Sequence, residues 1–186
     1  MTSSAFPWDR LALITALAEQ APGQLGRTAL MKCAYFLQAL RRVPLGYHFT
    51  LFSYGPFDSR VLNDLHYAEV LGGVDVETVY FAQGYGYQVS PGKAAEKLKS
   101  RASDFLAKYQ EDIDWVVREF GNRTAGELEL LSTLIYADQS VPAREKISLA
   151  DLAHRVQAVK PHFTLEQVQS HAEWLRKKGL LKAVSA

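Results

Sequence analysis

The stretch FTLFSYGPFDSRVLNDLHYAEVLGG, Phe49 to Gly73, changes its hydrophobic period across a single Gly-Pro step. Before the step, His48, Thr50 and Phe52 alternate with Phe49, Leu51 and Ser53, the two-residue period of a strand. Pro56 has no amide to donate and biases Gly55 away from helix, so the strand is expected to end there. Asp58 is placed to cap a following helix, and Phe57 and Leu62 stand at the positions of a hydrophobic staple. Val61, Leu65 and Ala68 continue as its buried stripe. Tyr54, Gly55, Pro56, Phe57 and Asp58 therefore read as a structural motif rather than a catalytic loop.

The flanking sequence surrounds this junction with helices. Pro7 to Glu19 carries Leu11, Ile14 and Ala18 at helical spacing, and APGQLG breaks it. TALMKCAYFLQALRR, Thr28 to Arg42, is apolar nearly all round, the composition of a helix enclosed on several sides at the centre of the amino-terminal half. Gly72-Gly73 closes the helix after the junction, and VDVETVYFAQGYGYQVS forms two strands around the tip AQGYG. From Pro91 a long helical region places Leu98, Ala102, Phe105, Tyr109, Ile113, Val116 and Phe120 on one stripe.

The last third has the clearest local signals. Thr124 with Glu127, Ser148 with Asp151 and Thr164 with Gln167 have capping-box spacing and mark helix starts. Ile147 with Leu152 and Phe163 with Val168 are staples, and Pro161 separates the last two helices. LLKAV is expected to form a short strand, and DQSVPAREKI a mobile connection.

The expected fold is mainly α (α+β). Residues 1–97 form a winged-helix-like domain with a small antiparallel sheet, 98–123 a connecting helix, and 124–186 a helical, helix-turn-helix-like subdomain, a three-helix bundle packed on the first. With 186 residues and 48% hydrophobic composition the chain has the means to build a core. One cysteine, Cys33, excludes an internal disulfide and a cysteine-rich zinc site, and no apolar run approaches the roughly 20 residues that span a bilayer. MTSSAFPWDR lacks the layout of a secretion signal, so a cytoplasmic location is expected.

GRTALMKCAYFLQAL, HFTLFSYGPFDSRVLNDLHYAEVLGGV and YGYQVSPGKAAEKL together resemble the SocA-like or Panacea domain proteins and their uncharacterised bacterial and archaeal relatives. The matching positions are Lys32, Tyr35, Phe36, Tyr54, Gly55, Pro56, Tyr87, Val89 and Ser90, and the resemblance covers about half of the chain. It implies a winged-helix-like antitoxin or adaptor that works by protein contact, its partner a toxin or a protease-delivered target. It implies no catalytic residue.

Chemistry-bearing motifs are sparse. The sequence has no nucleotide-binding glycine loop, HExxH pair or Gly-x-Ser-x-Gly elbow, and Cys33 sits in the most enclosed helix, where a thiolate is disfavoured. His48, His66, His154, His162 and His171 have no tight ligand spacing, and Glu111 to Trp115 reads as a solvated helix face. The expectation is a non-enzyme with no catalytic residue, no cofactor, no metal and no membrane partner.

Two functional readings remain. The favoured one is a regulatory protein-binding module, with Phe81, Tyr85 and Tyr87 at the end of the wing as partner-binding residues. Val74, Val76, Thr78 and Tyr80 are expected on one sheet face, with Val79, Phe81 and the tip tyrosines partly turned away from it. The alternative is a sequence-specific DNA-binding regulator using residues 164–178. Gln167, Gln169 and Ser170 would face a groove while Arg176, Lys177 and Lys178 meet phosphates, although three cations at a helix end also complement its dipole. The helix after the Gly-Pro step suits DNA poorly, with Arg60 against Asp58, Asp64 and Glu69. With a net charge of +1 any nucleic-acid contact is local, and a homodimer is compatible with either reading.

Overall fold

A computed structural model describes residues 6–21, 25–82 and 84–184, so Pro22, Gly23 and Gln24 of the first break and Gln83 of the hairpin tip lie outside the described residues. The protein is mainly helical with two small antiparallel sheets. In chain order, α1 (Trp8–Gln20) and α2 (Arg27–Arg41) precede a short hairpin of β1 (Thr50–Phe52) and β2 (Gly55–Phe57). Then come α3 (Ser59–Val70), a long hairpin of β3 (Val74–Phe81) and β4 (Gly84–Pro91), α4 (Ala95–Lys99) and α5 (Ser103–Phe120). The chain ends in α6 (Ala125–Gln139), α7 (Leu149–Val159) and α8 (Leu165–Lys177). No helix among the described residues is long and apolar enough to cross a membrane.

Contacts divide the chain into two compact units, residues 1–49 with 58–123, and residues 50–57 with 124–186. In the first unit α2 is enclosed as its composition demands, with every residue from Leu30 to Leu37 buried. Burial pushes the Cys33 thiol up to about 12, the property of a core residue rather than a nucleophile. Helix α1 is equally enclosed, from Leu11 through Ala18, because α3, α4, α5 and the long hairpin all pack on it. The sequence pattern marked only Leu11, Ile14 and Ala18.

A polar cluster ties this unit together. Asp64 accepts hydrogen bonds from Arg10 Nε and from the Tyr47 hydroxyl, both at 2.7 Å, and the Arg10 and Arg60 guanidinium carbons stand 5.2 and 5.7 Å from the Tyr47 ring centroid. Burial and the Asp64 charge push the Tyr47 hydroxyl pKa well up, so it stays a donor. Arg60, the sole permanent cation of α3, is engaged by Asp58 at 2.5 Å, in keeping with the poor suitability of this helix for DNA.

The expected 98–123 connecting helix is not continuous. Helix α4 passes into a 3-10 turn at Ser100–Ala102, α5 begins at Ser103, and Tyr109 is non-helical within it (φ −110°). Residues 98–123 belong to the first unit, where Phe120 stacks on Phe36 at 4.0 Å between ring centroids.

In the second unit α6, α7 and α8 pack against one another, and Thr124, Ser148 and Thr164 each accept the expected capping hydrogen bond. Around the Gly-Pro step the structure corrects the sequence reading. The chain turns at Ser53–Tyr54, before the proline, and Gly55–Phe57 returns as a strand with Leu51 opposite Pro56. Pro56 is tolerated because in a two-stranded sheet its missing amide is not required by a second neighbouring strand. Gly55 makes the reversal at φ +87°, which favours glycine. The Lys160 ammonium donates to the carbonyls of Phe52 (3.2 Å) and Ser53, holding the hairpin inside this unit. Asp58 nonetheless caps α3 as expected, accepting from the Arg60 amide at 2.9 Å.

DQSVPAREKI is stitched at both ends. Asp138 accepts the amides of Lys182 (2.7 Å) and Ala183 (2.9 Å), and Lys146 Nζ donates to the Lys182 carbonyl at 2.7 Å. LLKAV contributes only an isolated parallel bridge, Ile147 to Val184, instead of a strand.

Candidate functional site

The long hairpin begins as part of the first unit's core and ends in solvent. Val74 and Val89 are fully buried at its base, and the Val89 amide donates to the Leu25 carbonyl at 2.8 Å. Beyond this anchor β3 and β4 keep an unbroken register out to Phe81 opposite Gly84. Eight residues at about 3.3 Å each make an arm of about 25 Å.

At its distal end Tyr80, Phe81 and Tyr85 are 82%, 66% and 65% exposed. The register corrects the facial assignment. Tyr80 lies opposite Tyr85 and Thr78 opposite Tyr87, so Tyr85 and Tyr87 share the face of Val74, Val76, Thr78 and Tyr80. Phe81 is on the other face with Asp75, Glu77 and Val79, its ring over Gly86. The three partner-binding residues read from sequence thus do not form one patch. Tyr87 is half-buried, with the Arg27 guanidinium 3.5 Å from its ring centroid. It braces the arm on the start of α2, and its ring meets that of Tyr85 edge-on at 5.9 Å.

Sequence alternation placed Tyr80 on one face with Val74, Val76 and Thr78 and left it out of the partner-binding residues, yet it is the most exposed aromatic of the arm. The signal that could have found it is length: an eight-residue hairpin outruns a small core, so distal residues of both faces emerge. The rings at the distal end are large side chains of low conformational entropy.

The alternative DNA-binding residues lie on α8 and just beyond its end. Gln167, Gln169, Ser170, Arg176, Lys177 and Lys178 are all exposed, while Val168, Ala172 and Leu175 face the core of the second unit. Arg176 pairs with Glu173 at 3.0 Å, which diminishes it as a phosphate contact. His162, at the entry to α8, places Nε2 3.3 Å from Glu129 Oε1 and takes a structural position. Of the acidic run, Asp112 is paired with Arg41 at 2.6 Å.

At the root of the arm a groove of about 220 Å3 is lined by Trp8, Leu71, Ala94, Lys97, Leu98 and Arg101, residues the sequence reading did not connect. In comparisons with known proteins, no family model and no curated protein matches the chain.

Proposed function

We propose that the chain is a non-catalytic, cytoplasmic, winged-helix-like regulatory module, antitoxin- or adaptor-like, that binds another protein chain through the distal end of the β3–β4 arm. One observation carries the reading: Tyr80, Phe81 and Tyr85 stand exposed at the end of a rigidly paired hairpin whose root is locked into a core. Aromatic side chains on a preorganised support supply interface area at low entropic cost. The test is Tyr85→Ala, with a photo-cross-linking residue placed at position 80 in both backgrounds. The expected result is an unchanged melting temperature with cross-linking to protein lost. A lowered melting temperature with unchanged cross-linking would assign the ring to stability and remove the arm as the binding site.

The second reading, a sequence-specific DNA-binding regulator using residues 164–178, is favoured by the joint exposure of Gln167, Gln169, Ser170, Lys177 and Lys178. Titrating salt against binding to random duplex separates the two. Phosphate-driven binding weakens steeply with salt, and an aromatic protein contact hardly changes.

A further inference from the structure

In the second unit two segments far apart in sequence bring their cations together. Residues 140–147 and 177–184 hold Arg144, Lys146, Lys177, Lys178 and Lys182 against a single acid, Glu145. All five cations are exposed, and Arg144, Lys146, Lys177 and Lys182 form no ion pair among the described residues. Backbone contacts fix the segments side by side. Asp138 accepts the Lys182 and Ala183 amides, the Ile147 amide donates to the Ala183 carbonyl at 3.0 Å, and Lys146 Nζ donates to the Lys182 carbonyl at 2.7 Å. Lys146 and Lys182 thus line one cleft of about 390 Å3, and the Lys146 ammonium keeps further protons to donate. Lys182 follows Lys178 by four residues, so their α-carbons are at most about 14 Å apart.

Helix α8 sorts its outward residues by charge. Steps of three and four align Gln167, Ser170, Trp174 and Lys177, with Lys178 beside them, its ammonium 5.6 Å from the Trp174 ring centroid. This stripe has no carboxylate. The neighbouring stripe, Glu166, Gln169, Glu173 and Arg176, holds both acids of the helix, and Glu173 takes up Arg176. Within α8 the two acids cancel Arg176 and Lys177, so the helix by itself supplies no net attraction for phosphates. The loop and tail supply it. From Gln167 to Lys177 the helix rises about 15 Å, against a major groove about 12 Å wide, which separates neutral hydrogen-bonding groups from the cations by the distance between base edges and a phosphate strand. We infer that the second unit holds duplex DNA with two elements: Gln167 and Ser170 at the groove, and one phosphate strand running over Lys177, Lys178, Lys182, Lys146 and Arg144. Gln169 and Arg176 stay off the DNA. This deepens the DNA-binding reading above and rests on it.

Fluorescence anisotropy of a labelled random duplex with the full chain, repeated over a salt series, tests it. Arg144→Ala/Lys182→Ala and Lys177→Ala/Lys178→Ala should each flatten the slope of log affinity against log salt by about two, with unchanged circular dichroism. Gln169→Ala/Arg176→Ala should leave the slope as in the wild type. The charge-keeping variant Arg144→Lys/Lys182→Arg should also keep it, which separates lost charge from lost folding. A wild-type slope in Arg144→Ala/Lys182→Ala overturns the inference, and if Lys177→Ala/Lys178→Ala still flattens it the DNA reading stands without the loop and tail. Equal flattening by Gln169→Ala/Arg176→Ala overturns the division of α8 into stripes. Polyglutamate that displaces the labelled duplex as readily as unlabelled duplex overturns DNA as the occupant. A wild type that binds no duplex at low salt removes the DNA reading and this inference together.

Discussion

Lys160 Nζ lies 2.8 Å from Glu129 Oε1 with both side chains more than nine-tenths buried, an ion pair enclosed in the second unit. Removing one partner leaves a buried charge uncompensated. Lys160→Met should therefore cost about 3–5 kcal/mol in urea unfolding. The double variant Lys160→Met/Glu129→Leu should cost less than the single one, because no charge remains to be desolvated. A double variant as unstable as the single one would place the loss in the hydrogen bonds from Lys160 to the β1–β2 turn.

Asp58 makes the first unit sensitive to acid. Burial alone would raise its pKa, but hydrogen bonds from the Arg60 side chain, the Arg60 amide and the His48 amide outweigh this and hold it at about 2. A carboxylate depressed in the folded state stabilises above its unfolded value of 3.8, and that contribution is lost as pH falls towards 2. Allowing for solvent screening, it is roughly 1–2 kcal/mol. Asp58→Asn should be less stable at neutral pH and should flatten the stability curve between pH 4 and 2. An unchanged acid limb would exclude Asp58 as its source.

The Gly-Pro step should be more sensitive at its glycine than at its proline. Gly55 holds φ +87°, so Gly55→Ala should cost about 1–2 kcal/mol. Pro56→Ala should cost less than about 1 kcal/mol, mostly through added freedom in the unfolded chain. Thermal unfolding of the two variants checks the order, which reverses if the proline defines the turn.

Gly92 passes against the Gly72 carbonyl at the root of the arm, where any Cβ on residue 92 would overlap that oxygen. Its own amide donates to the Gly73 carbonyl at 3.0 Å, so the backbone cannot retreat without losing a hydrogen bond. Gly92→Ala should cost about 1–3 kcal/mol and speed amide exchange in β3 and β4. Equal exchange in both proteins would show that the arm does not depend on this contact.

Helix starts were legible because capping is local chemistry. Thr124, Ser148 and Thr164 satisfy amides within three residues of themselves, and Asp58 does the same for α3. The long hairpin and the enclosure of α2 were legible for a related reason, since alternation and all-round apolarity register how many sides of an element are covered. Pairing was not. The residues around Pro56 carry the same strand and turn signals whether the chain stops or doubles back, and the carbonyls of Phe52 and Ser53 are claimed by Lys160, more than a hundred positions away. The same holds for α1, whose burial depends on three later helices, and for the groove, whose rim and floor come from three segments.

By itself, then, the sequence determined where α3, α6, α7 and α8 begin, which stretches alternate, and that Cys33 belongs to a core. Tertiary structure alone decided that Thr50–Phe57 joins the carboxy-terminal unit, that Asp64 and Asp58 are neutralised by Arg10 and Arg60, and that Phe81 parts company with Tyr85. The physical reason is range. Capping and periodicity act within a turn or a strand, whereas register, ion pairing across elements and the exposure of an arm's tip depend on which distant surfaces are brought together.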